Sequence, residues 1–330
     1  MLPSANDPLR SAAPRQVRTP VPHDVERAWR AVSDHLRPTP LEFGAGGRSA
    51  SDFALKLESL QPTGSFKVRG ALSALSALDG RTRVVTASAG NHGLGVAFAA
   101  RVLGRPATVV VAENASPAKV AKLRRFGVDL VQAGTSYDEA EAHALELAGD
   151  GAHYLSSYND PHVIAGQGTM GFELDNQLGG RGNGLTVVCA IGGGGLAAGL
   201  GLWASARPGV RVVGVETEVS TAVSAAISAG RQVTVEVGES IADGMAGNIE
   251  AGAVTPGLIG RYVDDLVTVS EAEIRGAVRH LALERGFVAE GAGAAAAAAL
   301  LAGKVRTRGL AVAVVSGRNI TGPTLTAALG

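Results

Sequence analysis

Short β-branched runs alternate with helical periodicity along most of the 330-residue chain. Apolar positions at 84–85, 108–111 and 128–131 read as strands, and each leads into a helical pattern, over 93–104, 117–126 and 137–147. Further on, strands predicted at 185–191, 210–215, 266–269 and 310–315 are interleaved with helices over 196–206, 271–285 and 291–303, and one long helix is expected over 162–178. Strand followed by helix this many times means an α/β protein: parallel sheets with helices on both faces, whose ligands sit at the carboxyl ends of the strands. Nearer the start, Val25, Trp29, Val32 and Leu36 give an amphipathic helix that Pro38 and Pro40 end. Phe53, Leu55 and Leu57, apolar against Lys56 and Glu58, then give a strand with one polar face.

That strand runs into the turn Pro62, Thr63, Gly64, after which Phe66, Leu72, Leu75 and Leu78 recur at helical spacing. Lys67 is thereby placed in the first turn of a helix, with Ser65 as the expected N-cap. The positive end of the helix dipole and the neighbours Phe66, Val68 and Gly70 give its cation no support, so its pKa should fall. A neutral amine is what imine formation and proton abstraction from carbon require. The chain holds five lysines. The others are Lys56 on the polar strand face, Lys119 and Lys122 on an amphipathic helix and Lys304 near a helix end, all places where solvated lysines belong. Lys67 is the exception.

Composition narrows the class. Hydrophobic content of 46%, charged content of 18% and a formal net charge of zero describe a globular protein with no bias towards nucleic acid. No apolar run approaches the length of a membrane span. The one cysteine, Cys189, lies in an apolar run and reads as a buried inert thiol, which suits a cytoplasmic protein. Residues 1–20 carry prolines and arginines without a hydrophobic signal core and are expected to form a loose tail. The alanine-rich stretch 292–302 is expected to be a buried helix packed closely on a sheet.

Three loops at predicted strand ends carry unusual chemistry. Ser88, Ala89, Gly90, Asn91 and His92 offer amides, a hydroxyl and a carboxamide suited to a carboxylate, where a plain turn would need only the glycines. Gly192, Gly193, Gly194 and Gly195 precede a helix and suit a phosphate. Gly192, Gly194 and Ala197 also fit the dinucleotide pattern G-x-G-x-x-A, with Glu216 ending the next strand, so a nicotinamide cofactor is an alternative at this point. Ser316, directly after the strand at 310–315, would by itself be a turn cap.

Taken in order, QPTGSFKVRGA, SAGNHG, IAGQGTMGFEL, GGGGL and SGRN closely resemble the serine and threonine dehydratase family, over about residues 36–319. These are fold-type II, tryptophan synthase β-like enzymes dependent on pyridoxal 5'-phosphate, and the family includes serine racemase. The resemblance gives the phosphate at Gly192–Gly195 to that cofactor and implies that Lys67 carries it through an imine. It also sets Phe66 beside the ring, Asn91 on the phenolic oxygen and Ser316 at the pyridine nitrogen. Ser65, Ser88, Ala89, Gly90, Asn91 and His92 would lie around the substrate carboxylate. A neutral hydroxyl holds no proton on the pyridine nitrogen, so the ring is a weaker electron sink and the carbanion expels its β-substituent. The implied reaction is ammonia-lyase (dehydratase) chemistry on a β-hydroxy-α-amino acid such as L-serine or L-threonine. Racemisation and β-replacement on the same cofactor are the alternatives, with a non-catalytic protein of the same fold behind them.

The sequence departs from the family in places. Many members hold a divalent cation with a Glu at the position of Glu216 and a second carboxylate six residues on; here Ala222 stands at the second position, so no metal is expected. SGGN reads SGRN, bringing Arg318 beside the cofactor loop, and residues 242–257 are unlike the usual serine and threonine enzymes. The expected organisation is a large cofactor domain from residues 21–80 and 159–330 and a small substrate domain from 81–158. By resemblance the partners are an amino acid and a second copy of the chain, a homodimer, with no nucleic acid or membrane.

Overall fold

The computed structural model describes residues 15–44, 53–149, 151–179 and 184–330, to which all that follows refers. Two sheets form. The larger has six strands in the order β1 (Leu41–Glu42), β2 (Ala54–Lys56), β10 (Ala311–Val314), β7 (Thr186–Ala190), β8 (Arg211–Thr217) and β9 (Asp265–Val269). Only the β1–β2 pair is antiparallel. The smaller sheet is wholly parallel, with β5 (Asp129–Gln132), β4 (Ala107–Val111), β3 (Val84–Ala87) and β6 (His153–Tyr154) in that order.

Alternate residues of one strand feed different cores, as expected of a sheet covered on both faces. Val188 and Ala190 of β7 pack with α11 (Glu271–Leu283) and α12 (Gly291–Leu301), while Val187 and Cys189 pack with α8 (Gly195–Ala204). The alanine-rich stretch is α12: Ala292 to Ala299 are buried, and a Cβ on Gly293 would lie 2.2 Å from the Gly317 carbonyl oxygen, so small residues there permit close helix-to-loop contact. In the smaller sheet, Val85 and Val110 face α5 (Tyr137–Gly149), and Val109 and Val111 face α3 (Asn91–Leu103) and α4 (Pro117–Arg124).

Four expectations need correction. The long helix over 162–178 is two, α6 (Pro161–Gly168) and α7 (Met170–Leu178). At Thr169 the hydroxyl donates to the Gly166 carbonyl at 2.7 Å and the amide makes an i to i−3 bond to the same oxygen, which breaks the α-helical ladder. Helices α9 (Ala222–Ala229), α10 (Thr255–Tyr262) and α13 (Gly322–Leu329) add to the expected set. Of the predicted tail, residues 1–14 lie outside the described residues, but Arg15 pairs with Glu250 at 2.6 Å, Arg18 pairs with Asp24 at 2.7 Å, and Pro20 is buried.

The fourth correction is Lys56, which is not solvated but completely buried. β2 lies inside the sheet with all three of its residues buried, so alternation there carries no wet face. Lys56 Nζ meets Glu173 Oε2 at 2.6 Å, the Thr39 carbonyl at 2.8 Å and Gln177 at 2.9 Å. Glu173 also takes Arg69 at 2.7 Å, and Arg69 in turn grips Glu58 through two nitrogens, each at 2.7 Å. Burial alone would raise the Glu58 carboxyl, but Arg69 holds it below its usual range. These four charges join β2, the turn after it, α2 (Lys67–Ala77) and α7. Removing one member of a buried set leaves a charge uncompensated in low dielectric, so Glu173→Gln is expected to cost about 3–5 kcal/mol of stability. A guanidinium melt checks this: a midpoint equal to the parent's would show that the network is dispensable.

Candidate active site

Lys67 opens α2, as the apolar spacing predicts, but Ser65 does not cap it. The N-cap is Phe66, which makes no side-chain cap bond, and Ser65 Oγ is buried with no hydrogen-bond partner among the described residues. The chain is held here from another direction. Ser65 bridges Gly317, the Phe66 amide donates to the Ser316 carbonyl at 3.0 Å, and the Arg318 amide donates to Gly64 at 2.9 Å. Gly64 has φ +77°, and a Cβ on it would lie 2.9 Å from Asn319 Oδ1. Two loops about 250 residues apart in sequence are therefore zipped together at the carboxyl ends of neighbouring strands β2 and β10.

The Lys67 side chain keeps part of its surface open, but its Nζ is held against the Ser157 carbonyl at 2.8 Å and lies 5.3 Å from the centre of the Phe66 ring. Burial lowers its pKa from 10.5 to about 8, opposed by the charge of Glu290. Among the described residues no carboxylate pairs with it, in contrast to Lys56. Glu290 is a residue of this site that sequence reasoning misses. It is the N-cap residue of α12 and is almost wholly buried. Its Oε1 accepts from Asn91 Nδ2 at 2.6 Å, its Oε2 accepts from the Asn319 amide at 2.9 Å, and Asn319 Nδ2 donates to Asn91 Oδ1 at 2.6 Å. Burial raises the Glu290 carboxyl to about 7, with Asp243 adding to the rise and the bond from Asn91 opposing it. A Cβ on Gly317 would fall 2.2 Å from Glu290 Oε1, which explains the glycine after Ser316. A single acid directly before a buried alanine helix is the available signal.

The loop after β3 brings Ser88, Ala89, Gly90 and Asn91 to the start of α3, whose N-cap Gly90 supplies no side-chain cap. The first-turn amides are thus open to an anion. Ser88 Oγ accepts from the Gly90 amide at 3.2 Å and keeps its own proton to give. His92 is turned away: it is buried, its Nε2 lies 3.1 Å from the Leu155 carbonyl, and burial followed by the charge of Lys67 lowers its pKa to about 3. It is a neutral wall residue behind the loop.

The glycine loop joins β7 to α8, with Gly194 at φ +86°. A Cβ would lie 2.4 Å from the Gly244 carbonyl at Gly192, 2.3 Å from the Tyr158 ring at Gly193 and 2.7 Å from Ile259 Cδ1 at Gly194. The missing side chains therefore make room for protein as well as baring the amides. Thr255, unmarked in the sequence, donates its hydroxyl to the Gly193 carbonyl at 2.7 Å and braces the turn. Ser316 is buried, and its side chain makes a long bond of 3.3 Å to the Ala292 carbonyl. Arg318 is exposed to solvent. Glu216 is spent elsewhere: its carboxylate accepts from the Val223 amide at 2.9 Å and the Ser224 amide at 3.2 Å, capping α9. Among the described residues no cluster of three His, Cys, Asp or Glu could hold a metal.

Pyridoxal phosphate fits these residues. A depressed amine, an unpartnered buried hydroxyl on Ser65, a weakly held hydroxyl on Ser316 and a helix N-terminus behind four glycines answer its aldehyde, polar groups and phosphate. The family described as pyridoxal-phosphate dependent enzyme matches residues 32–317. An L-threonine ammonia-lyase of Thermotoga maritima is 40% identical over 305 residues, covering 90% of this chain and 75% of its own. A catabolic L-threonine dehydratase of Escherichia coli is 38% identical over 83% of this chain and 84% of its own. Among solved structures, a threonine deaminase from T.th. gives a TM-score of 0.84 at 36% identity, covering 92% of this chain and 99% of that one. Maize serine racemase gives 0.85 at 26% identity, covering 94% and 97%.

Thr255→Val removes one hydrogen bond from the turn while keeping its shape, worth about 1 kcal/mol. The expected result is a severalfold weaker affinity for pyridoxal phosphate with little change in melting temperature, measured by absorbance titration of the cofactor-free protein. Unchanged affinity would mean that the bond has no part in shaping the loop.

Proposed function

Because the chain belongs to the family of pyridoxal-phosphate dependent enzymes, we propose that it is an ammonia-lyase of the serine and threonine dehydratase kind, converting a β-hydroxy-α-amino acid to a 2-oxo acid and ammonia. The observation that carries this reading is Lys67: a half-buried amine without a paired carboxylate among the described residues, its pKa near 8, its Nζ held against a backbone carbonyl. The relatives named above support the substrate class. When bound, pyridoxal phosphate supplies an electron sink for the α-carbon. Lys67 Nζ, once neutral, takes the α-proton. The Ser65 and Ser88 hydroxyls and the first-turn amides of α3 hold the substrate carboxylate, while Glu290 and Asn319 fix the Asn91 carboxamide. Loss of the α-proton and β-hydroxyl removes water, and hydrolysis of the released enamine returns it, leaving 2-oxo acid and ammonia.

Two further parts of this proposal concern organisation. Residues 81–158, built on the smaller sheet, act as the substrate domain, and 21–80 with 159–330 as the cofactor domain. The protein works in the cytoplasm as a homodimer; exposed Phe43 and Leu283 beside the Glu42–Arg285 ion pair at the β1 edge support such an interface.

The amine makes covalent capture pH-dependent. Below about 8 Lys67 is an ammonium that cannot attack an aldehyde and above it a free amine, so the rate at which cofactor-free protein captures pyridoxal phosphate should rise through pH 8 and level off. Glu290 supports the ammonium, so Glu290→Gln should move that rise to lower pH, and a shift the other way would refute the coupling. A rise centred near pH 10.5, as for a solvated lysine, would remove the basis of the assignment.

Likeness to a serine racemase keeps inversion as a second reading. Racemisation needs an acid/base on the face opposite Lys67, which in the racemase branch resembled here is a serine at the position of Ala89, whose methyl moves no proton. Ammonia and 2-oxo acid are expected from one enantiomer of serine or threonine, with almost no inversion, and measurable inversion in Ala89→Ser. Chiral chromatography of remaining substrate decides this: rapid formation of the opposite isomer by the unmodified protein would overturn the lyase reading.

A further inference from the structure

At the amino-terminal edge of the smaller sheet, away from Lys67, a cavity of about 340 Å³ opens between β3, β4, β5 and the last turn of α3. It is a half-open surface depression: Arg83, Arg101 and Asp129 are exposed and Arg105 is half-buried. Three guanidiniums line it, those of Arg83, Arg101 and Arg105, against the one carboxylate of Asp129. Asp129 is already engaged, pairing with Arg83 at 3.2 Å and accepting from the Thr108 hydroxyl at 3.0 Å. Arg83 is further fixed by two bonds to Thr108 Oγ1, at 3.1 and 2.7 Å. Arg105 donates to the neutral Leu78 carbonyl at 2.9 Å, and the exposed Arg101 reaches the Arg125 carbonyl only at 3.5 Å. Among the described residues neither has a carboxylate within ion-pair distance. Neither side chain is neutralised, and most of their donors stay free. The carbonyl end of α3 adds a partial negative charge, but the Gly104 and Arg105 amides both bond back to Ala100, which leaves the two guanidiniums dominant. Phe126, held edge-on to Phe98 at 6.2 Å between ring centres, gives the cavity one apolar wall.

The geometry points to a binding site for a small polyanion, a molecule with two or more adjacent negative charges such as a phosphate monoester or a polycarboxylate, separate from the amino-acid site. Planar forked guanidiniums recognise such groups by paired, charge-assisted bonds. The site does not overlap the cofactor cradle: Arg83 precedes β3, whereas the Ser88–His92 loop follows it, and along α3 Arg101 lies ten residues from Asn91, about 15 Å at helical rise. A ligand here therefore touches the helix whose far end carries Asn91.

The test uses the holoenzyme, so that the glycine loop is filled and cannot take the probe. Inorganic phosphate and citrate are titrated by calorimetry against chloride at matched ionic strength, on the parent and on Arg101→Gln/Arg105→Gln, with Lys122→Gln as an exposed control. Saturable binding of phosphate or citrate, weakened about tenfold or more in the double variant and unchanged in the control, supports the site. Phosphate alone assigns a phosphate ester, citrate alone a polycarboxylate, and both a site that reads charge. No binding by the parent, equal binding by the double variant, or an equal effect of chloride overturns the proposal. A double variant that fails to fold is replaced by Arg101→Gln alone, judged by the same outcomes.

Discussion

The rest of the structure leans on one buried set of charges. Arg69 sits two residues after Lys67 and is locked between Glu58 on the turn before α2 and Glu173 on α7, with Lys56 closing the set from β2. Because none of the four side chains is more than 1% exposed, each ion can be accommodated only if the backbone elements keep these positions. The bonds from Thr39 to both carboxylates, at 2.6 and 3.0 Å, leave little freedom to slide. Hydrophobic packing would set α2 against α6 and α3 approximately. The ionic network fixes how far its first turn projects, and hence where the Lys67 side chain begins.

Lys56 and Lys67 are eleven residues apart in sequence, the first completely buried and the second half-buried, and chemically opposite. Burial pulls each below the ordinary lysine value. Lys56 has Glu173 in contact and two carbonyl acceptors, the geometry of a charge-assisted bond, so it serves as a structural cation. Lys67 has one backbone carbonyl and the more distant Glu290, so little favours its ammonium and the amine becomes available. The difference lies in the partners supplied by remote parts of the chain.

This is also why some of the protein is legible in the sequence and some is not. The alternation of strands and helices, the glycine loop and the placement of Lys67 at a helix start rest on local signals, and the structure reproduces them within a few residues at most boundaries. Patterning misplaces Lys56 because its counter-ion lies 117 residues away and because a period of two has no meaning on a strand covered on both faces. Thr255 is silent in the sequence and Glu290 is marked only by its place before the alanine helix, for the same reason: their contacts with Gly193 and Asn91 exist only after distant loops have come together. Sequence logic makes Ser65 a cap, yet the residue has a buried hydroxyl with no partner among the described residues, a local rule set aside at the site proposed to bind the substrate.

The groups able to move a proton near neutral pH are few, and their placement decides what chemistry the site around Lys67 supports. His92 is held neutral by burial, with a pKa near 3 that makes it a poor base, and its Nε2 is occupied by Leu155. The Tyr158 phenol is pushed upwards by burial, as is the Cys189 thiol, to about 12. Glu290 titrates near 7, but both of its oxygens are bound by Asn91 and Asn319, so it tunes charge rather than delivering protons. Of these groups Lys67 is the amine that, among the described residues, has no paired carboxylate; on the proposed reading it is the base, and Ala89 stands in the loop after β3 where the racemase branch resembled here carries a serine. On that reading, with one proton-carrying face and the Ser316 hydroxyl rather than a carboxylate facing the cofactor ring, α-proton loss would have two outcomes: return of the same proton or loss of the β-substituent. Elimination is the outcome that leads to product.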